Sequence, residues 1–510
     1  MNAIELNLFS SRITAICDEM GAVLRRAAFS PNIKDRLDFS CAIFDAHGAL
    51  VAQAAHIPVH LGSMAYAMKD IVQTIAWQPG DMLIVNDPYL GGTHLPDVTL
   101  IAPVFHQQQL CAFVCNRAHH ADIGASSPGS MPVSSTLDEE GMVIAPTHLL
   151  RAGRLDESLL ASILVQLANP HQGRGDLSAQ ISANQTGVTR LQVLLVSMNV
   201  AEFVSAVDEL NSYAERLARA ALADIPLGEY NFSDRLDDDG QGNTDVVICA
   251  KVQVNEQGVH VDFSGTAPQV AGNINCPLSV AAAGVYYVFR CLMPAQTPAC
   301  AGAFRPITLS APVGCLLNAQ RPAAVAAGNV ETSSRVVDVI MGALVQAIPQ
   351  RLAAASQGTM NNLAMGGRSA TTHWDYYETM GGGAGASPAG NGLSARQTHM
   401  TNTLNTPIES VEMHYPLRVT QYAIRRGSGG AGKYRGGDGL VREFEFLADA
   451  SVTLLTERRR LAPWGCAGGQ PGATGENNYD GQLLEGKKTF TAKVGKRLTI
   501  KTPGGGGWGE

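Results

Sequence analysis

Residues 81–131 read DMLIVNDPYLGGTHLPDVTLIAPVFHQQQLCAFVCNRAHHADIGASSPGSM. Two apolar runs, 82–85 and 98–105, are too short for helices, and a third, 110–114, follows a polar His-Gln-Gln-Gln turn. All three are expected as strands. The loop 86–97 (NDPYLGGTHLPD) follows the first run, and His119-His120-Ala121-Asp122 follows the third. Carboxylate and imidazole groups are thereby gathered at the ends of neighbouring strands. Pro88, Gly91, Gly92 and Pro96 give the first loop a stiff, non-repetitive course, as fixed ligand geometry requires. Such a cluster suits zinc, manganese or iron, and no thiolate belongs to it. The competing account is that these Asp and His side chains only form turns. In an extended strand His119 and His120 face opposite ways and His120 shares a face with Asp122, so spacing does not choose between the two histidines.

Upstream, Leu6, Phe9, Ile13, Ile16, Met20, Val23, Leu24 and Ala27 recur at helical spacing, and the helix they predict ends near Phe29. Ser30-Pro31-Asn32 breaks it. A strand-turn-strand unit, CAIFDAHGALVAQ, follows Asp38, which is either a partner of Arg36 or a cap, or else a further metal ligand or general base. His56, Pro58 and His60 alternate, so an extended segment ahead of a helix over 64–75 could present both imidazoles to a cleft, but satisfied, partly buried histidines are the commoner explanation.

Downstream, the small-residue stretch 124–130 is expected as a flexible loop suited to closing over a ligand. Residues 150–225 are largely helical by pattern, interrupted at 169–176, with Asp176 a candidate cap. From Gly228 the pattern turns to alternation. Asp237-Asp238-Asp239-Gly240 lacks calcium-loop spacing and reads as a solvated turn. Buried helices are expected over 277–293 and 330–348, with Asn329, Glu331, Thr332, Arg335, Asn361 and Asn362 either lining a substrate pocket or, equally well for most of them, serving turns. The glycine run 380–387 is no P-loop, because Gly432-Lys433 is followed by Tyr434 and Gly486-Lys487 by Lys488, so no nucleotide site is expected in this chain. The remainder alternates as an antiparallel β unit, with the pairs Gly429-Gly430, Gly436-Gly437 and Gly468-Gly469 expected as tight turns. The fold class is therefore α/β (mixed α+β) and multidomain: an N-terminal part over 1–149 carrying the metal-binding loops, a helical segment over 150–226, a central α/β domain over 227–417 and a C-terminal β domain over 418–510.

With 510 residues, 45% of them hydrophobic and 16% charged, the chain has ordinary globular composition. A net charge of −8 without any basic cluster argues against nucleic acid or anionic membrane as the main partner. The ten cysteines form no CxxC pair and read as reduced, buried thiols. The amino terminus lacks the apolar core of a secretory signal and no window approaches ~20 apolar residues, so a cytoplasmic location is expected.

Taken together, SPNIKDRLDFSCAIFDAHGALVAQAAHIPVHLGSM, VNDPYLGGTHLPDVTL, NRAHHADIG and the terminal GGGGWG resemble the hydantoinase B/oxoprolinase family, which includes components of N-methylhydantoinases, 5-oxoprolinases, acetone carboxylases and caprolactamase. The resemblance implies a metal-containing catalytic component of the hydantoinase B type, working with a separate hydantoinase A-type, ATP-using component. The A-type component would phosphorylate a carbonyl oxygen of a lactam or imide; a metal in the B-type component would lower the pKa of water towards ~7 for attack on the activated carbon. By position in the motifs, Asp87, His94, His119 and Asp122 are the expected metal ligands, with Asp97 the alternative to Asp87. Asp38 and His120 are the expected catalytic residues. Hydrolysis of a cyclic amide is the first expectation, a ketone carboxylase component using bicarbonate the second, and a scaffold for the A-type component without metal the third.

Overall fold

The computed structural model describes residues 1–54, 56–368 and 373–510. The first apolar runs do form strands, and they lie in a seven-stranded antiparallel sheet. Its members are β1 (Phe39–Asp45), β2 (Leu50–Gln53), β3 (Met82–Val85), β4 (Asp97–His106), β5 (Gln109–His119), β6 (Thr147–Arg151) and β7 (Arg154–Leu155), in the order β2-β1-β5-β4-β3-β6-β7. Alternation sends Cys41, Ile43, Leu100, Ala102 and Val114 to one core and Ala42, Phe44, Ile101, Phe113 and Cys115 to another. Both faces are buried, which is why these strands read as unbroken apolar runs. The helices Ala3–Ala27 and Pro170–Ser197 cover the first face, and Pro58–Gln73 covers the second. The hairpin joining β4 and β5 turns at Gln107-Gln108, both at positive φ (47° and 65°), as a two-residue turn demands.

The long helix Pro170–Ser197 runs through the expected interruption. Asn169 caps its start by accepting from the Gln172 amide (3.1 Å), while Asp176 accepts from Phe29 and Ser30 amides and so caps nothing in its own helix. The glycines there admit neighbours: a Cβ on Gly173 would meet Leu167 at 2.3 Å, and one on Gly175 would meet Phe29 at 2.5 Å. The same device joins the first layer to the centre, since a Cβ on Gly62 would stand 2.6 Å from Ala283 in the helix Leu278–Leu292.

The central sheet contains β8 (Gly228–Asp238), β9 (Thr244–Asn255), β10 (Gly258–Asp262) and β11 (Ile307–Ser310), ordered β11-β10-β9-β8, against which the helix Ser333–Leu344 packs. The acidic run that reads as a solvated turn is partly buried: Asp237 accepts from the Arg459, Arg460 and Leu461 amides and Asp239 from Gln241 and Asn243. Those carboxylates tie chain segments together. Beyond them come β12 (Asn362–Arg368), β13 (His373–Glu378), β14 (Leu417–Arg425), β15 (Gly439–Phe446), β16 (Ala450–Leu455), β17 (Glu476–Tyr479), β18 (Gln482–Leu484), β19 (Lys487–Ala492) and β20 (Arg497–Lys501). They form two antiparallel sheets, β13-β12-β16-β19 and β14-β15-β20-β17-β18.

The C-terminal glycines depart from expectation. Gly429, Gly430, Gly436, Gly437 and Gly469 have no positive φ and are not turn residues; only Gly468 of the three pairs does, at 95°. They lie in extended segments packed backbone against backbone around residues 504–507. Gly505 donates to the Gly437 carbonyl and Gly430 donates to that of Gly505, both at 2.9 Å. A Cβ on Gly436 would sit 2.0 Å from the Gly505 oxygen, and one on Gly505 2.1 Å from that of Ala384. Absence of side chains is what allows the segments to approach. Among the described residues, no single helix is long and apolar enough to cross a membrane.

Candidate metal centre

The site is built on the β4–β5 hairpin, whose register sets Asp97 opposite His119. Directly paired residues project from the same face, so the two side chains meet by backbone geometry alone. His94 enters from the loop before β4. Its Nε2 lies 3.2 Å from Asp97 Oδ1, and His119 Nδ1 lies 3.3 Å from the same oxygen. The other carboxylate oxygen, Oδ2, accepts from Thr93 Oγ1 (2.6 Å) and Asn329 Nδ2 (3.1 Å) and stands 3.2 Å from His60 Nε2. All six residues are buried.

The loop is held from below by Arg117, fully buried, which donates to the Gly91 carbonyl (2.9 Å), Ser63 Oγ (2.7 Å) and Thr99 Oγ1 (2.8 Å). Asn86 Nδ2 donates to the Leu95 carbonyl at 2.9 Å and fixes the loop's other end. His119 stacks on Tyr377 with ring centroids 4.7 Å apart and planes 9° from parallel. Tyr377 in turn donates its hydroxyl to Asn362 Oδ1 (2.8 Å), and Asn362 Nδ2 donates to Glu331 Oε1 (2.7 Å).

His94 Nδ1 faces the Ala326 carbonyl at 3.1 Å, a contact only an N–H can make, so Nδ1 carries the proton. In a neutral ring, Nε2 then presents a lone pair to Asp97 Oδ1. That pairing is tolerable only with a second proton or a cation between them. Burial opposes a charged His94, but the Asp97 carboxylate outweighs it and raises the imidazole above its ordinary value. Burial likewise opposes the Asp97 anion, yet His60, His94 and His119 hold its carboxyl well below the usual range. His119 is lowered, because burial there exceeds the help it receives from Asp97 and Asp38.

One ligand atom each from His94, Asp97 and His119 lie within 4.8 Å of one another, and His94 Nε2, His119 Nε2 and Asp97 Oδ1 have no hydrogen-bond partner. Two imidazoles and one carboxylate, buried and unsatisfied, fit a divalent cation of the zinc, manganese or iron type. The hydrogen bond from His94 Nδ1 to a backbone carbonyl is the support a ligating imidazole needs. A cavity of about 20 Å³ adjoins the trio, lined by Asp38, His60, His94, His119 and Asn329 and roofed by Met400. It is large enough for one water molecule.

The expected residues divide as follows. His94, His119 and Asp38 reach this cavity; Asp38 lies 3.5 Å from Arg36 and 4.0 Å from His60 Nε2. Asp87 accepts from the Tyr89 amide and pairs with Arg321, outside the trio. Asp122 accepts from the Gly124 and Ala168 amides. The two adjacent histidines do face opposite ways: His120 Nε2 meets Gln180 Oε1 at 2.9 Å, in a polar ladder that Gln180, Asn116 and Asn184 form between the long helix and the sheet. His60 does reach the cleft, but from the first turn of a helix that starts at Pro58, six residues before the pattern suggests, while His56 accepts from the Cys41 amide and packs against Phe39. Burial lowers His56 to about 4. Tyr377 and Thr93 had no sequence signal. Nor had Glu140, a buried carboxyl raised to about 7 by burial, which accepts from the Val325 and Ala326 amides and so holds the segment whose Ala326 carbonyl faces His94.

A family model for hydantoinase B/oxoprolinase matches residues 2–510. The chain is 37% identical to a 5-oxoprolinase of Dictyostelium discoideum, over 100% of this chain but 40% of that protein. It is 32% identical to a protein of Pseudomonas sp. strain NS671 assigned as the B-type component of a D-/L-hydantoinase, over 100% of this chain and 90% of that one. Among solved structures, the ATP-dependent caprolactamase from Pseudomonas jessenii superposes with a TM-score of 0.93 at 28% identity, covering 100% of this chain and 91% of that one. Acetone carboxylase, nucleotide-free, superposes with a TM-score of 0.88 at 18% identity over 99% and 75% of the two chains, a likeness of fold alone. The chain thus spans about two-fifths of the oxoprolinase it matches and nearly all of the hydantoinase component.

Proposed function

The chain belongs to the hydantoinase B/oxoprolinase family, and from that premise we propose that it is the ring-opening unit of an ATP-dependent hydrolase of cyclic amides or imides. The observation that carries this reading is the buried trio His94, Asp97 and His119 beside a small cavity that Asp38 also lines. A full-length likeness to an ATP-dependent caprolactamase supports the ring-amide class of substrate. The likeness to a protein assigned as the B-type component of a hydantoinase supports an ATP-using A-type partner.

A ring amide is a poor electrophile. With its carbonyl oxygen phosphorylated by the partner, water adds to the ring carbon, the C–N bond breaks with its electrons on nitrogen, and nitrogen takes up a proton. A second water then splits the resulting acyl phosphate into carboxylate and phosphate. His94, Asp97 and His119 would hold a zinc, manganese or iron ion, which when bound supplies Lewis-acid polarisation and eases loss of a proton from water. Asp38, on the cavity wall and steadied by Arg36, takes that proton as general base. Asp97 fixes both imidazoles, and Ile57, Val59, Met360 and Met400 keep bulk water out. Asp87, Asp122 and His120 act in this reading through the loops and the helix contact they stabilise.

The test is reconstitution with an A-type partner and ATP, following ring opening and phosphate release beside elemental analysis. Ring opening with near-stoichiometric metal, both lost in His94→Ala, is the expected result. An enzyme that opens rings without metal sinks the assigned centre. Phosphate release from a ketone that depends on bicarbonate replaces hydrolysis with carboxylation, which the shared fold of acetone carboxylase permits.

A further inference from the structure

Asn329 stands in one turn of π-helix, Gly328–Thr332, which leads into the helix Ser333–Leu344. Insertions of this kind displace a side chain from the regular helical face and recur at functional sites. The turn is tightly held. Ala327 and Gly328 donate to the Asn273 carbonyl at 3.0 Å, Ser333 Oγ donates to the Asn329 carbonyl at 2.6 Å, and a Cβ on Gly328 would lie 1.8 Å from the Asn275 oxygen.

The amide of Asn329 has two ends in different surroundings. Nδ2 donates to Asp97 Oδ2 at 3.1 Å. Oδ1 has no partner, although the residue is 2% exposed and lines the cavity. Turning the amide over would set its oxygen against the Asp97 carboxylate, so the orientation is fixed by charge. A buried acceptor without a donor is costly, and the other polar side chains of the wall are engaged: Tyr377 with Asn362, Thr379 with Thr403 and Arg36. Among the described residues of this wall, only the two imidazole Nε2 atoms of His94 and His119 share Asn329's unpartnered state. The ligand that Oδ1 calls for is therefore a small hydrogen-bond donor, and the cavity of about 20 Å³ has room for one water beside it.

We propose that Asn329 is the positioning residue for the nucleophilic water: Nδ2 holds Asp97 in place, and Oδ1 takes one hydrogen of the water, turning a lone pair toward the ring carbon. The inference deepens the hydrolase reading and rests on it. Asn329 makes no bond to the substrate, and its share of the rate is orientation.

Two measurements test it. In a high-resolution crystal structure of the metal-loaded wild type, an ordered water lies within hydrogen-bond distance of Asn329 Oδ1; a cavity filled by other atoms, or an Oδ1 satisfied by protein, overturns the proposal without any activity measurement. In the reconstituted pair, Asn329→Ala retains its metal and its KM within about twofold, while kcat for ring opening falls about a hundredfold. Phosphate released per ring opened rises above the wild-type ratio, because activation continues while attack is misdirected. An unchanged kcat, or loss of metal in parallel with kcat, shows that Asn329 does no more than brace Asp97 or nothing at all. If the wild-type pair opens no ring, it is the hydrolase reading that falls; the crystallographic water then still decides the contact.

Discussion

Five side chains converge on Asp97, and none of them is its immediate neighbour in sequence. This explains how two similar Asp-Pro/Pro-Asp corners, at Asp87 and Asp97, come to differ: one serves a turn and an arginine, the other faces three imidazoles. Glu331 shows the same dependence on surroundings. It is buried, accepts from the Met360 amide (2.9 Å) and Asn362 Nδ2 (2.7 Å), and is raised by burial to about 7. A folded-state pKa above the unfolded value of about 4.3 means that the native state binds the extra proton between these limits, so stability falls as pH rises from about 4.5 to 7 and is level above. The Glu331 share of that fall is at most about 4 kcal/mol. Glu331→Gln keeps the acceptor oxygen and cannot ionise. Thermal melts across pH 5 to 7.5 should show a flatter profile for the variant, converging with the wild type at the acid end. Parallel profiles would mean that Glu331 ionises normally in the fold.

At the scale of elements, two kinds of local code operate. The strands β3, β4 and β5 are read correctly, as apolar runs without alternation, because a sheet buried on both faces favours apolar residues at successive positions. Glycine is read poorly, since the same residue permits a turn or a close backbone approach and only the neighbours say which. In the C-terminal bundle it is the second. Gly505→Ala puts a methyl group where the Ala384 carbonyl already stands at 2.1 Å, so the segments must separate. A loss of more than about 3 kcal/mol is expected by urea unfolding, well above the ~1 kcal/mol typical of point substitutions. Gly495, at positive φ (76°) with nothing within 4 Å of its Cβ position, is the control: Gly495→Ala costs only backbone strain. Equal losses at both positions would refute the packing account.

For the whole molecule, the central sheet and the C-terminal strands are joined by buried charge. Arg458 donates to Asp234 and Asp338 at 2.7 Å each, and Glu457 pairs with Lys487 at 2.5 Å and Arg335 at 3.3 Å. Asp234 belongs to β8, Asp338 to the helix Ser333–Leu344 and Lys487 to β19, so the cluster spans three elements distant in sequence. Arg458→Met leaves Asp234 and Asp338 with only the more distant Arg335, at 3.7 and 3.9 Å, and should cost about 3 kcal/mol in denaturant unfolding. A loss under about 1 kcal/mol would mean that water reaches the joint.

The sequence by itself determined the α/β class and the family, and it singled out His94 and His119, which the fold brings to one carboxylate. Periodicity and motif are local properties, carried by neighbours along the chain. It could not choose Asp97 over Asp87, since that depends on a hairpin register that sets Asp97 beside His119. Nor could it bring in Asn329 and Tyr377, which lie more than 200 residues from the hairpin and reach it only when the π-helical turn and the sheet containing β13 pack against it. Those contacts exist because burial brings the layers together, and no spacing within one segment encodes the distance between two.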